Sequence, residues 1–277
     1  MTNSNQSQLP VRLTETERDQ FIREGYVIVR GLLPEDAVVS TRESLLSARG
    51  MKQDDPASWK RSATVLSEDF LLTLPCWTEE VLGCAAELAG PNIARDNIYS
   101  PAREQQGLSP NMKGYIPILN YPTPGELAFD PPTGAHIDGI DHTTLFPAFQ
   151  YLVVFAYLTE TAAYGGATAV WPGSHRKLFE YWLARGKKEG DRIPDSTFDL
   201  DLGDPIPAVG SAGDVIFMHY LLVHSGSANH SDHIRIGLNS AIQPSAGHPY
   251  IRKAGLPATE WTPIDWTLRT DNLRVGG

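Results

Sequence analysis

Within Gly134-Ala135-His136-Ile137-Asp138-Gly139, an imidazole and a carboxylate stand two residues apart. In an extended strand, positions i and i+2 project from one face. His136 and Asp138 would then converge, offering a metal ion one nitrogen and one oxygen ligand. Two ligands do not complete a site, and a polar turn after Pro131-Pro132 would explain the same residues. A third ligand is available in segment 213–226, where His219 and His224 are five residues apart. In one unbroken strand that odd separation turns them to opposite faces, so only one can join the set. His224 abuts Ser225-Gly226-Ser227 at the mouth of a turn, whereas His219 lies inside an apolar run, where a histidine is usually packed into the core. His224 is the preferred ligand and His219 the alternative. Two neutral imidazoles and one carboxylate on one octahedral face suit Fe(II) and leave three positions open to small molecules.

Arg235 follows His224 by eleven residues. If 225–233 is a hairpin loop, the two residues sit on adjacent antiparallel strands near the same end of a sheet. A guanidinium there could hold a carboxylate through two parallel hydrogen bonds. Pairing with a surface acid such as Asp232 is the alternative.

These residues need a scaffold, and the texture of the chain describes one. From about residue 112 onward, strand-length apolar runs alternate with Pro and Gly: 115–121, 135–138, 151–158, 167–171, 214–219 and 234–242. An amphipathic helix is expected over 176–188, with Leu178, Phe179, Trp182 and Leu183 on one side. Pro172-Gly173-Ser174-His175 reads as a structural turn with no direct chemistry. Before this half, Thr14 and Glu17 form a capping-box pattern for a helix ending at Gly25. A strand over 26–29 and a helix from Pro34 to about Ala48 follow. A further helix is expected over 79–89, and 51–75 stays unassigned. The expected division is a tail (1–12) and one domain (13–277), made of N-terminal elements (13–111), a β core (112–243) and a C-terminal extension (244–277). The fold class is mainly β with flanking helices, α+β.

Composition narrows the function. The 277 residues are 41% hydrophobic and 20% charged with 24 Gly and 21 Pro, which fits a globular, turn-rich protein and neither a disordered nor a fibrous one. Lys plus Arg number 23 and Asp plus Glu 33, a net charge of −10 that opposes nucleic acid and anionic membrane surfaces. Two cysteines, Cys76 and Cys84, make no disulfide framework, which implies a reducing cytoplasm. Met1 to Arg12 lack the apolar core of a signal peptide, and no apolar run reaches membrane-spanning length. A small-molecule substrate is expected.

Several short motifs follow one another along the chain. They are His136-x-Asp138, Gly165-Gly166-Ala167-Thr168, Trp171-Pro172-Gly173-Ser174-His175, Gly213-Asp214, His224-Ser225-Gly226-Ser227-x-Asn229-x-Ser231 and Arg235. Together with Gly25-Tyr26-Val27-Ile28-Val29 and the helix before it, they resemble the phytanoyl-CoA dioxygenase-like family over residues 14–243. That resemblance implies a non-haem Fe(II) and 2-oxoglutarate-dependent oxygenase on a double-stranded β-helix, a cupin-like jelly roll. It makes His136, Asp138 and His224 the metal triad and Arg235 the partner of the distal carboxylate of 2-oxoglutarate. Asn120 and Tyr157 become neighbours of the cosubstrate, and O2 takes the last metal position. Turnover would couple decarboxylation of 2-oxoglutarate, to succinate and CO2, with hydroxylation of a small or medium-sized metabolite. Desaturation, epoxidation and ring formation are variants. The family's halogenating relatives carry a small residue in place of the carboxylate, so Asp138 argues against halogenation. Substrate choice is expected in 51–112, 139–150 and 176–206, with His142 as a candidate contact. Rival readings are a cupin-like metal isomerase or lyase without 2-oxoglutarate, and a non-catalytic metal-containing binding module.

Overall fold

A computed structural model describes residues 12–59, 66, 76, 78–89, 98–99, 116–132, 134–138, 152–184, 200–242 and 263–267. Helix α1 (Glu15–Glu24) opens with the expected capping box: the Thr14 hydroxyl accepts from the Glu17 N–H, and the Glu17 carboxylate accepts from the Thr14 N–H. It ends at Gly25, whose φ of 82° is left-handed, as expected. A Cβ there would also lie 2.4 Å from the His175 ring, so this turn requires glycine twice over. Strand β1 (Tyr26–Val29) and helix α2 (Glu35–Ala48) follow, the latter with Pro34 at its N-cap. In the unassigned stretch, Pro56–Ser58 forms a 3-10 turn. Helix α3 (Glu79–Ala89) matches its expected range.

The remaining strands are β2 (Ile98–Tyr99), β3 (Ile116–Asn120), β4 (Leu152–Tyr157), β5 (Thr168–Val170), β6 (Ile206–Ala208), β7 (Val215–His219), β8 (His224–Gly226) and β9 (Arg235–Ile242). Strands β2, β6 and β8 were not anticipated as strands. They are two or three residues long, and Pro207 and Gly226 interrupt any apolar alternation. Helix α4 (Ser174–Ala184) starts earlier than expected, so Ser174 and His175 belong to its first turn while Pro172-Gly173 make the bend. A last short helix, α5 (Pro263–Trp266), lies in the C-terminal extension.

The strands form two antiparallel sheets. The larger is ordered β1-β7-β4-β9-β2, with β3 also pairing β9, and the smaller is β6-β5-β8. Alternation along the large sheet divides its side chains between two faces. One face (Val27, Val29, Leu152, Val154, Phe217, Leu238) packs with Phe21, Leu45 and Leu88 of helices α1 to α3 in one apolar core. The other (Val153, Phe155, Tyr157, Ile216, Met218) meets Val170 and Ala208 of the small sheet in a second core. Helices, large sheet and small sheet are therefore three layers, an α+β arrangement. No helix among the described residues is long and apolar enough to cross a membrane.

Candidate metal centre and anion pocket

The small sheet carries the third candidate ligand. His224 opens β8, opposite Val170 of β5. Residue His136 lies beside it in a single antiparallel bridge, with N–H to O distances of 3.0 and 2.9 Å in the two directions. The expected strand over 135–138 is thus reduced to one bridged residue, and Asp138 stands in a turn after it. Convergence survives that correction. The Asp138 Oδ1 lies 3.8 Å from the His136 Nε2 and 3.6 Å from the His224 Nε2, and the two rings are 4.6 Å apart. All three ligand atoms fall within 4.8 Å of one another, the grouping of His, Cys, Asp and Glu side chains among the described residues that could hold a metal ion. With metal–ligand bonds of about 2.1 Å, two ligands of one ion lie between about 3 and 4.3 Å apart, which brackets both distances.

The protonation pattern follows from the surroundings. The His224 Nδ1 is 2.9 Å from the Leu222 carbonyl, so Nδ1 carries the donated proton and Nε2 presents its lone pair to the site. Burial works against a charged His224 ring, yet the Asp138 carboxylate prevails and holds its pKa above the ordinary histidine value. Burial also pushes Asp138 upward, and the neighbouring His224 and His136 outweigh it, leaving the carboxyl below its usual range. His136, whose side chain is 47% exposed, has its pKa lowered to about 4 by burial of the ring and by His224. The buried Asp138 Oδ2 has no hydrogen-bond partner among the described residues. An orphaned carboxylate oxygen beside two converging imidazoles is the fit expected of a divalent cation site.

Arg235 is on the other sheet. It begins β9, paired with Asn120 of β3, whereas His224 belongs to β8, so the two do not share a hairpin ladder as expected. They face each other across the sandwich because 225–233 passes between the sheets. Arg235 is 3% exposed. One guanidinium nitrogen donates to the Thr168 hydroxyl at 3.0 Å, the carbon centre lies 4.5 Å from the Phe155 ring centroid, and Nε has no partner. The surface-acid alternative does not hold, since the Asp232 carboxylate contacts His233 instead. Burial pushes the Arg235 pKa down to about 10, so the group is still cationic at neutral pH.

Residues around this cation went unnoticed in the sequence. Phe155 supplies the aromatic platform, and Gly237 makes room for it: a Cβ at 237 would lie 2.0 Å from the Phe155 ring. Thr168 is the hydroxyl in the Gly-Gly-Ala-Thr motif, which gave a usable signal. Phe155 and Gly237 gave none, because an apolar strand residue and a strand glycine look like core. Asn120 lies opposite Arg235, and its amide donates to the Ser227 carbonyl at 2.9 Å. Asn229, fully buried, donates to the carbonyls of Asn120 and His233, while its Oδ1 accepts from Ser231. That network fastens the loop joining His224 to Arg235. The Tyr157 hydroxyl donates to the Ala208 carbonyl at 2.8 Å, and its ring packs edge-on to Phe155. His219 faces the helix side, its Nδ1 accepting from the Leu221 N–H, away from the triad. His142 and most of 51–112, 139–150 and 176–206 lie outside the described residues.

Residues 21–237 match the model of the phytanoyl-CoA dioxygenase (PhyH) family, a span that contains His136, Asp138, His224 and Arg235. The chain belongs to this family. A dioxygenase, FrzG of Cladobotryum sp., is 37% identical over 98 residues, covering 33% of this chain and 29% of that relative, so the match spans under a third of the curated relative's length. Among solved structures, the 2-oxoglutarate-dependent carbocyclase SnoK of nogalamycin biosynthesis superposes with a TM-score of 0.51 at 20% identity, covering 88% of this chain and 92% of its own. AviO1 from Streptomyces viridochromogenes Tue57 gives a TM-score of 0.52 at 18% identity, with 87% and 99% covered. EvdO2 from Micromonospora carbonacea var. aurantiaca, complexed with 2-oxoglutarate, gives 0.50 at 15%, with 86% and 95% covered. At these identities the likeness is one of fold.

Proposed function

We propose that this member of the family is an Fe(II)- and 2-oxoglutarate-dependent dioxygenase that hydroxylates a small or medium-sized organic metabolite. The observation that carries the reading is Arg235. A guanidinium in an apolar interior without a carboxylate partner among the described residues is costly unless an anion joins it. The nearest chemistry that needs an anion there is the 2-His-1-carboxylate set across the sandwich. EvdO2, with 2-oxoglutarate bound on a similar fold, supports the choice of anion. In this reading the two facing sheets are the halves of a double-stranded β-helix. Free, buried Cys76 and Cys84 fit a cytoplasmic setting.

His136, Asp138 and His224 would hold the iron, and Arg235, with Thr168, would hold the distal carboxylate of 2-oxoglutarate. Asn120 and Tyr157 border that pocket. Bound iron supplies activation of O2 at the expense of 2-oxoglutarate. The balanced reaction is R–H plus 2-oxoglutarate plus O2, giving R–OH, succinate and CO2. The protein's share is orientation and exclusion of water. Arg235 fixes one end of the cosubstrate, the Leu222 carbonyl holds the His224 tautomer that leaves Nε2 free, and the apolar walls of Phe155 and Val170 shield the interior. Asp138 occupies the position that halogenating relatives leave to chloride.

Incubation with Fe(II), 2-oxoglutarate, ascorbate and candidate metabolites under labelled O2 tests the reading. One labelled oxygen is expected in succinate and one in the product. Label in succinate without label in the product would retain the oxygenase and replace hydroxylation by desaturation, ring closure or epimerisation, the last two being reactions carried by SnoK and SnoN on this fold. Product formed equally well without 2-oxoglutarate or O2 would promote an isomerase or lyase.

A further inference from the structure

The corners of the site are held unequally. His224 opens β8 in its ladder with β5, and Arg235 opens β9, which β3 and β4 flank. His136 has a single bridge, and no strand lies between Asn120 and His136 among the described residues. That segment delivers both His136 and Asp138. Whatever fastens it bears on two of the three candidate ligands.

One fastening is His230, which stands between Asn229 and Ser231 in the loop joining His224 to Arg235. Its backbone is pinned. The His230 N–H donates to the Tyr164 carbonyl at 2.7 Å, and the Asn229 carbonyl just before it accepts from the Thr123 N–H and hydroxyl at 2.7 and 3.1 Å. The ring reaches into segment 123–130. Its Nδ1 is 3.1 Å from the Thr123 carbonyl, which only accepts, so Nδ1 carries the proton. Its Nε2 faces the Asp130 carboxylate at 3.5 Å. The side chain is 9% exposed, and the segment is shaped around it, because a Cβ at Gly125 would run into the ring. One imidazole thus spans the segment from its start to its end. Pro131 and Pro132 follow Asp130, and their fixed φ stiffens the lead toward His136.

We propose that His230 is a positioning residue: by latching segment 123–130 to the loop that joins the two sheets, it seats His136 and Asp138 opposite His224. The backbone of His230 is the fixed post, and the segment, which has no ladder of its own, takes its place from the ring. This inference deepens the metal reading of the triad and rests on it. His230 acts one step removed from the ligands, so its effect should fall below the 10- to 100-fold typical of a ligand's direct partner.

The test uses His230→Leu and His230→Asn, side chains of nearly one shape, of which only the amide keeps a donor for the Thr123 carbonyl. Metal-free protein is titrated anaerobically with Fe(II) alone, and with Co(II) alone to read the ligand-field spectrum. His230→Leu is expected to bind Fe(II) about 3- to 10-fold more weakly than wild type and to shift the Co(II) bands. His230→Asn should recover most of that loss. Gly125→Ala takes the space of the ring and leaves its chemistry intact, so it should weaken binding in the same range and lose its effect in a His230→Ala background. Thermal melting of each metal-free variant checks that the fold is intact, and if His230→Leu does not fold, Gly125→Ala and its double variant decide alone. Equal Fe(II) affinities in His230→Leu and His230→Asn, whether both normal or both weakened, would assign His230 to packing and overturn the proposal. An undiminished effect of Gly125→Ala in the His230→Ala background would overturn it too. If wild-type protein bound no Fe(II), the triad reading would fall and this proposal with it, a different and separately visible result.

Discussion

Two histidine pairs are stacked through the thickness of this protein with nearly the same geometry. His136 and His224 have ring centroids 4.6 Å apart at 53°, and His175 and His219 have theirs 5.1 Å apart at 47°. The first pair lies on the small-sheet side and the second on the helix side of the large sheet. What separates them is the company they keep. Asp138 stands within 4 Å of both rings of the first pair, and His136 opens to solvent. The second pair is wholly buried against Tyr220 and Gly25. Paired imidazoles alone are therefore packing. A carboxylate and an open side make the same pair a candidate ligand set.

Breaking the pairs one at a time gives the largest effect. His224→Ala and Asp138→Ala should each reduce 2-oxoglutarate-dependent turnover to assay background and remove Fe(II) binding. His219→Ala should instead keep turnover and cost about 1–3 kcal/mol of stability, because the Leu221 N–H loses its acceptor. Turnover and melting temperature, measured on all three, separate the roles. Full activity in His224→Ala with loss in His219→Ala would reverse the ligand assignment.

The opposite end of the site sharpens the contrast further. Arg235→Lys keeps the charge and loses the fork. A hydrogen bond to a charged group contributes about 1.5–3 kcal/mol, so the apparent KM for 2-oxoglutarate should rise about 10- to 100-fold, and that for substrate much less. Gly237→Ala should act in the same direction by displacing the Phe155 ring from beneath Arg235, with about 1–3 kcal/mol lost in stability. Unchanged 2-oxoglutarate binding in Arg235→Lys would remove the anion assignment.

Acid should distinguish one ring of each pair, His175 and His224, by sign. Burial, and then Arg176, lower the His175 pKa to about 3, so the folded protein keeps this ring neutral while the unfolded chain protonates it near 6.5. Its folded pKa is depressed, so stability is full above about pH 6.5 and falls as the pH drops toward 3. Between pH 7 and 4 the loss is on the order of a few kcal/mol, and His175→Gln should show a shallower fall of melting temperature. In metal-free protein, His224 has the reverse sign. Its raised folded pKa makes the ion pair with Asp138 stabilising at lower pH and lost as pH rises through that value. An equal pH slope in wild type and His175→Gln would contradict the first half of this contrast.

Legibility in the sequence followed the range of the interaction. The α1 capping box, the Gly25 stop and the long apolar strands β4, β7 and β9 depend on neighbours a few residues away, and their signals were local. Which histidine joins His136 and Asp138 was readable too, because an odd spacing turns His219 and His224 to opposite faces and the structure groups His224 with them. His136 and Asp138 converge through a bridge and a turn where the i, i+2 spacing predicts a strand. Placing Arg235 on the sheet facing His224 needed knowledge that 225–233 changes sheets, which depends on Asn229 reaching Asn120, over a hundred residues earlier. Phe155 comes to lie beneath Arg235 through cross-strand register, which no single segment encodes.

The smallest effect concerns Tyr157, where the two cores of the large sheet could be confused. Its hydroxyl is committed to the Ala208 carbonyl, which ties β4 to β6, while its ring packs beside the Phe155 platform of Arg235. Tyr157→Phe removes the tie and keeps the ring. The expected cost is about 1 kcal/mol in stability, since the Ala208 carbonyl loses its donor. The KM for 2-oxoglutarate should rise no more than about two-fold, because a hydroxyl already bonded to the backbone has little left for a ligand. A rise of ten-fold or more without loss of stability would mean that the hydroxyl leaves Ala208 when the anion binds. Tyr157 would then join Arg235 as a direct contact of the cosubstrate.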